Sequence, residues 1–170
     1  MSLLHAILKS TFVISVCLMA ILLMLACEGD DAYESQTGKP VAIDVENCDT
    51  STDEDGKGGF PVSSHTYTGA PSRAITTNQH TTELMLALGL QDSMVGSAYI
   101  DDFILPEYLE AYDNVPVLAE KYPSKEVILA SEPDFIFAGF ASAFRETAAG
   151  PQPDLKKLGI ATYLSLAVCR

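Results

Sequence analysis

Residues Arg73 to Gly89 read RAITTNQHTTELMLALG, and the reading of this stretch decides the fold. Arg73 to Thr77 is short and rich in β-branched residues, which predicts a strand. Asn78 or Thr81 can then cap a helix running through Glu83, Leu84, Met85, Leu86 and Leu88. Gly89 supplies the left-handed residue that closes such a helix.

The same alternation continues downstream. Met94 to Tyr99 reads as a second strand, and Pro106 can open a short helix through Tyr108, Leu109 and Tyr112. Val115 to Leu118 is a brief extended piece. Ser124 caps a helix carrying Val127, Ile128 and Leu129, which Pro133 cannot continue. Phe135 to Ala138 is nearly all apolar, as a strand buried on both faces must be. Pro153 to Leu158 is a further helix closed by Gly159, and Ala161 to Leu166 is the last strand. Upstream, Val41 to Val45 alternates apolar and polar and predicts a first strand ending at Cys48, followed by an acidic, glycine-rich loop over Asp49 to Gly59.

Strands alternating with short helices predict an α/β fold, a parallel sheet with helices on both faces. Right-handed crossovers place every strand-to-helix loop along one edge, where open α/β sheets bind ligands. Those loops are Asn78-Gln79-His80, Tyr99 to Phe103, and Gly139 to Arg145.

Composition narrows the function. The chain has 170 residues and a formal charge of −13. That excludes a nucleic-acid partner, whose phosphates need Lys and Arg, and adhesion to an anionic membrane through surface charge. There is no Gly-x-x-x-x-Gly-Lys phosphate loop, Gly-x-Gly-x-x-Gly turn, Gly-x-Ser-x-Gly elbow or His-Glu-x-x-His pair. His65 and His80 do not stand at metal-ligand spacing. His80 reads as a helix-start residue, and Asp101-Asp102 as part of a solvated loop. No resident cofactor, metal site or catalytic group is expected.

The N-terminus fixes the compartment. Leu18 to Cys27 reads LMAILLMLAC, an apolar run too short for a comfortable span, since the hydrocarbon core needs about 20 apolar residues. With Met24, Leu25 and Ala26 before Cys27, it resembles a bacterial lipoprotein signal. Residues 1–26 are therefore expected to be cleaved and Cys27 to carry lipid. Residues 27–40 form an acidic tether, and 41–170 one folded lobe. Cys17 is lost with the leader. Cys48 and Cys169 remain, and an exported chain meets an oxidising space in which they are expected to pair.

Five short motifs then fall in order. They are Pro71-Ser-Arg73; Thr82-Glu-Leu84 with Leu88-Gly89; Val95-Gly96; Tyr122-Pro-Ser-Lys-Glu126; and Glu132-Pro-Asp134. Together they resemble the substrate-binding lipoproteins of ABC importers for iron–siderophore complexes and cobalamin, from Val41 to the C-terminus. The resemblance implies two α/β lobes joined by one long helix (the class III arrangement), with the ligand held between them. This chain stops at Arg170, after the first lobe, so weak or no ligand binding by this chain alone is expected.

The resemblance further implies capture of an iron–siderophore complex and its delivery to a permease driven by a separate ATPase. Cobalamin or haem is the alternative cargo, and a surface lipoprotein without a small ligand the alternative role. An extracytoplasmic enzyme is disfavoured by the missing motifs. Glu126 matches the family's exposed glutamate that meets permease arginines, and Glu83 is read as structural. Asn78, Gln79, Tyr99, Asp101, Asp102, Phe103, Phe140, Ser142 and Arg145 occupy the loops that match the cleft. Net charge favours a neutral or cationic hydroxamate complex over a polyanionic catecholate, while Arg145 is the residue to test for an anionic ligand.

Overall fold

A computed structural model describes residues 42–50 and 60–169. The leader 1–26, Cys27, the tether 27–40 and most of the Asp49 to Gly59 loop lie outside the described residues.

Five strands form one parallel sheet: β3 (Ala74–Thr77), β4 (Met94–Ala98), β5 (Val117–Ala119), β6 (Phe135–Ala138) and β7 (Ala161–Leu164), in the order β5-β4-β3-β6-β7. Between them run α1 (Gln79–Ala87), the single turn α2 (Leu109–Tyr112), α3 (Lys125–Ala130) and α4 (Gln152–Lys157). The expected α/β class is the observed one, with boundaries moved by a residue or two.

The alternation of strand side chains divides the core in two. Ile75, Ile136, Ala138 and Leu164 face one way and pack with Ile128 of α3 and Leu155 of α4. Ala74 and Met94 face the other way and pack with Met85 and Leu86 of α1, joined by Phe135 and Phe137 of β6. All four residues of β3 are buried, which is why the strand is short and free of charge. Helix α1 ends as its glycine dictates. Gly89, at φ 68°, donates to the Leu86 carbonyl, and Leu90 donates to that of Met85.

The N-terminal part departs from expectation. The first strand, β1 (Ile43–Cys48), does not join the parallel sheet; it pairs antiparallel with β2 (Val62–Tyr67), a strand not anticipated from the sequence. This hairpin lies beside β7 and satisfies its open edge through side chains. Asn47, fully buried, donates from Nδ2 to the Thr162 carbonyl (2.7 Å) and accepts at Oδ1 from the Leu164 N–H (2.8 Å), as a neighbouring strand would. The Tyr67 hydroxyl donates to the same carbonyl at 2.7 Å, and burial pushes this phenol up to about 12. Cys48 is disulfide-bonded to Cys169, with α-carbons 5.5 Å apart. By chain entropy, closing a loop of this length contributes about 5 kcal/mol.

Candidate functional site

The strand order sets the site. From the central β3 the chain steps outward through β4 and β5, then returns to the other side of β3 for β6 and β7. The loops leaving β3 and β6 therefore diverge, and a crevice opens at the carboxyl ends of these two strands. Backbone bonds carry the pairing just past the strand ends. Asn78 N–H donates to Ala98 (2.9 Å), Gly139 N–H to Thr77 (3.3 Å) and Tyr99 N–H to Ala119 (3.4 Å). Asn78, Tyr99 and Gly139 thus share one rim.

The rim is conformationally unusual. Asn78 has φ 85° and Tyr99 φ 58°, each the first residue after its strand. Asn78, with ψ 147°, lies outside the left-handed basin that Asn tolerates, in a region almost reserved for glycine, and a positive φ at a bulky residue such as Tyr99 costs on the order of 1–2 kcal/mol. Strain of this kind gathers at functional sites. Gly139 leaves room for another reason: a β-carbon there would run into the ring end of the exposed His80 and displace it.

A hydrogen-bonded cluster sits on this rim, centred on Tyr122. Its hydroxyl accepts from Ser142 Oγ (2.9 Å) and from Nδ2 of the buried Asn78 (3.2 Å). Its ring lies 4.6 Å from that of Tyr99. Tyr99, Lys121, Tyr122, Ser142 and Arg145 line a hollow of about 440 Å³. Beside it, Phe140 is 48% exposed and meets the His80 ring edge-on at 5.5 Å. Lys121 and Arg145 are exposed, and neither forms an ion pair; among the described residues the ion pair is Lys157 with Asp154.

The remaining expected residues form a second group. Gln79 Nε2 donates to Glu83 Oε1 and to the Phe103 carbonyl, both at 3.0 Å, and its Oε1 accepts from Asp102 N–H at 2.9 Å. Glu83 Oε1 also accepts from Leu105 N–H at 3.1 Å. Gln79 and Glu83 thereby tie the loop after β4 onto α1, and their polar groups are already engaged. Asp102 accepts from Phe103 N–H, and Asp101 lies exposed. Phe103 is 93% exposed. The structure brings Tyr99, Ser142 and Arg145 to the hollow; Asn78 reaches it only through its bond to Tyr122, and Gln79, Asp101, Asp102, Phe103 and Phe140 are absent from its lining.

Sequence reading missed Tyr122 and Lys121 as rim residues. The available signal was the extended Val115 to Leu118, whose following loop belongs on the same edge as the other three. Glu126 is fully exposed in the first turn of α3. A hydrogen bond from the Ser124 side chain, then its own backbone N–H, holds its carboxyl below the usual range. Among the described residues no group of three or more His, Cys, Asp or Glu could hold a metal, and no helix is long and apolar enough to cross a membrane.

No family model matches the chain, and no curated protein is significantly similar to it. Solved structures are. A periplasmic binding protein from Veillonella parvula DSM 2008 shares 29% identity over 75% of this chain, with a TM-score of 0.62. An ABC-type Fe3+-hydroxamate transport system protein from Saccharomonospora viridis DSM 43017 shares 27% over 76%, with a TM-score of 0.49. A periplasmic heme-binding protein from Roseiflexus sp. RS-1 shares 22% over 56%, with a TM-score of 0.43. This chain spans 40% of the length of each of the first two and 34% of the third. The Veillonella likeness is the one argued from below.

Proposed function

We propose that the chain is a lobe of a periplasmic binding protein of the iron–siderophore and cobalamin kind, and that it is the capture surface of an ABC importer. It binds an iron–siderophore complex on the β3–β6 rim for delivery to a permease. The observation that carries this reading is the Tyr122 cluster: four loops far apart in sequence supply Asn78, Tyr99, Tyr122 and Ser142 to one place. Aromatic faces give a chelate apolar contact, and the hydroxyl and amide groups fix its orientation. A rim of aromatic faces with hydroxyl and amide groups is suited to holding a solute for transport.

The supporting reading extends to place and partner. The Veillonella protein is periplasmic by name, and the leader with Cys27 supports an extracytoplasmic chain held to the membrane by lipid. Glu126, exposed and ionised, is suited to an arginine on the permease. Cobalamin and haem are the alternative cargoes for the same rim.

The chain has no tryptophan and seven tyrosines, so tyrosine emission includes Tyr99 and Tyr122, and the Tyr99→Ala variant isolates the rim's share. Titration with a ferric hydroxamate, haem and cobalamin is expected to give saturable quenching with at least one. A single rim leaves much of a ligand wet, so affinity weaker than micromolar is expected. Tyr99→Ala and Phe140→Ala should weaken it further. No saturable response to any of the three would refute the proposal.

A further inference from the structure

Between Arg73 and Lys121 the chain contains no lysine or arginine, while Glu83, Asp92, Asp101, Asp102, Glu107, Glu110, Asp113 and Glu120 all fall there. The half of the sheet built by β3, β4 and β5 is therefore wholly acidic in its charged groups. Where that half ends, the sign changes. Lys121 and Arg145 line one hollow together with the hydroxyls of Tyr122 and Ser142. In so acidic a chain, two cations without an ion pair on one concave surface are the feature to be explained.

We infer that this hollow receives an anionic group, and that the chain prefers an iron chelate bearing a free or metal-bound carboxylate to a neutral chelate of the same size. The inference rests on the chelate-binding reading above and deepens it. Whole-chain charge points the other way, toward neutral or cationic complexes. Salt decides between the two scales. At physiological ionic strength fields are screened within about 8 Å, so a bound group feels its immediate neighbours and not the total. The residues lining the hollow offer one guanidinium, one ammonium, and the hydroxyls of Tyr99, Tyr122, Ser142 and Thr147.

Arg145 is suited to the task. Its carbonyl accepts from Ala148 N–H (2.9 Å) and Gly150 N–H (3.1 Å), which roots the backbone in a tight turn while the side chain stays free. A guanidinium so held can grip a carboxylate through two parallel hydrogen bonds, which an ammonium cannot. Glu146, next in sequence, does not line this hollow; it lines the neighbouring one with Phe60, which Arg145 and Ser142 also border.

The test compares two diamagnetic gallium(III) chelates by chemical-shift titration of the full chain, a method that reads weak binding. One is a citrate-centred dihydroxamate complex, negative at its metal centre; the other is a linear trihydroxamate complex, neutral there. The negative complex is expected to bind about tenfold tighter, and the preference should shrink as salt rises. In Lys121→Gln/Arg145→Gln the preference should vanish, the negative complex losing about tenfold more affinity than the neutral one. Both positions are exposed, so folding is not at risk. Equal or tighter binding of the neutral complex, or a preference that survives in the double variant, would overturn the inference and leave chelate capture standing. Binding of neither complex would overturn both.

Discussion

The two ends of strands β3 and β6 are built on opposite terms. At their amino ends, Pro71-Ser-Arg73 and Glu132-Pro-Asp134 clasp each other. Asp134 Oδ2 accepts from the Ser72 N–H and hydroxyl, both at 2.8 Å, and Oδ1 from Arg73 N–H at 3.0 Å. Arg73 returns the bond, Nε to the Glu132 carbonyl (2.6 Å) and Nη2 to that of Ser131 (2.7 Å). At the carboxyl ends, one four-residue strand away, groups are left over. Thr77 Oγ1 is buried without a partner, Lys121 and Arg145 form no ion pair among the described residues, and Asn78 and Tyr99 hold positive φ, as Glu132 does within the clasp. The comparison teaches that a sheet is fastened at one end so that the other can remain unsatisfied, which is the condition for binding something else.

Substitutions should separate the ends. Asp134→Ala removes three hydrogen bonds to one carboxylate and is expected to cost about 2 kcal/mol in urea unfolding, without changing the amide shifts of residues 77–80. Asn78→Ala should cost somewhat less, about 1–2 kcal/mol, because an alanine tolerates φ 85° poorly and the Tyr122 hydroxyl loses a donor. It should also weaken chelate binding, which Asp134→Ala should not. Thr77→Val should act with the opposite sign. It replaces an unpartnered buried hydroxyl by a methyl group of similar shape, and a gain of about 0.5–1 kcal/mol is expected. A loss there would mean that the rim is satisfied in some way and that the contrast fails.

Acid gives the smallest effect. Burial works to raise the Asp134 pKa, but the bonds from Ser72 and Arg73 outweigh it and hold the carboxyl below the usual aspartate range. A depressed folded pKa stabilises fully above the unfolded value and loses that contribution as pH falls through the folded one. Stability should therefore decline below about pH 4, and Asp134→Asn should remove that part of the decline.

The sequence disclosed one half of this contrast better than the other. The clasp motifs stood out as ordered marks of a family, and the structure supplies their physical reason: segments some sixty residues apart bond to each other. The β3–α1 unit was legible because its run of apolar residues ends in a glycine. Strand β2, VSSHTY, was not, because small polar residues give it no apolar face and its pairing with β1 is what makes it a strand. Nor could any local pattern show the Asn47 amide standing in for a strand beside β7. Tyr122 escaped notice because β5 is only three residues long, too short for periodicity to announce the loop that follows. Total charge says little about the cleft for a simpler reason: it sums over the whole chain, and the hollow samples a few side chains.

The central claim is that the ligand lands on the unsatisfied end. A shift map recorded with a gallium(III) hydroxamate tests it most directly. The account predicts perturbations concentrated at residues 77–80, 99, 121–122 and 139–145, with residues 72–73 and 131–134 unmoved. Perturbations centred on the clasp, or on the apolar hollow of about 490 Å³ bounded by Ile43, Tyr67 and Phe135, would contradict it.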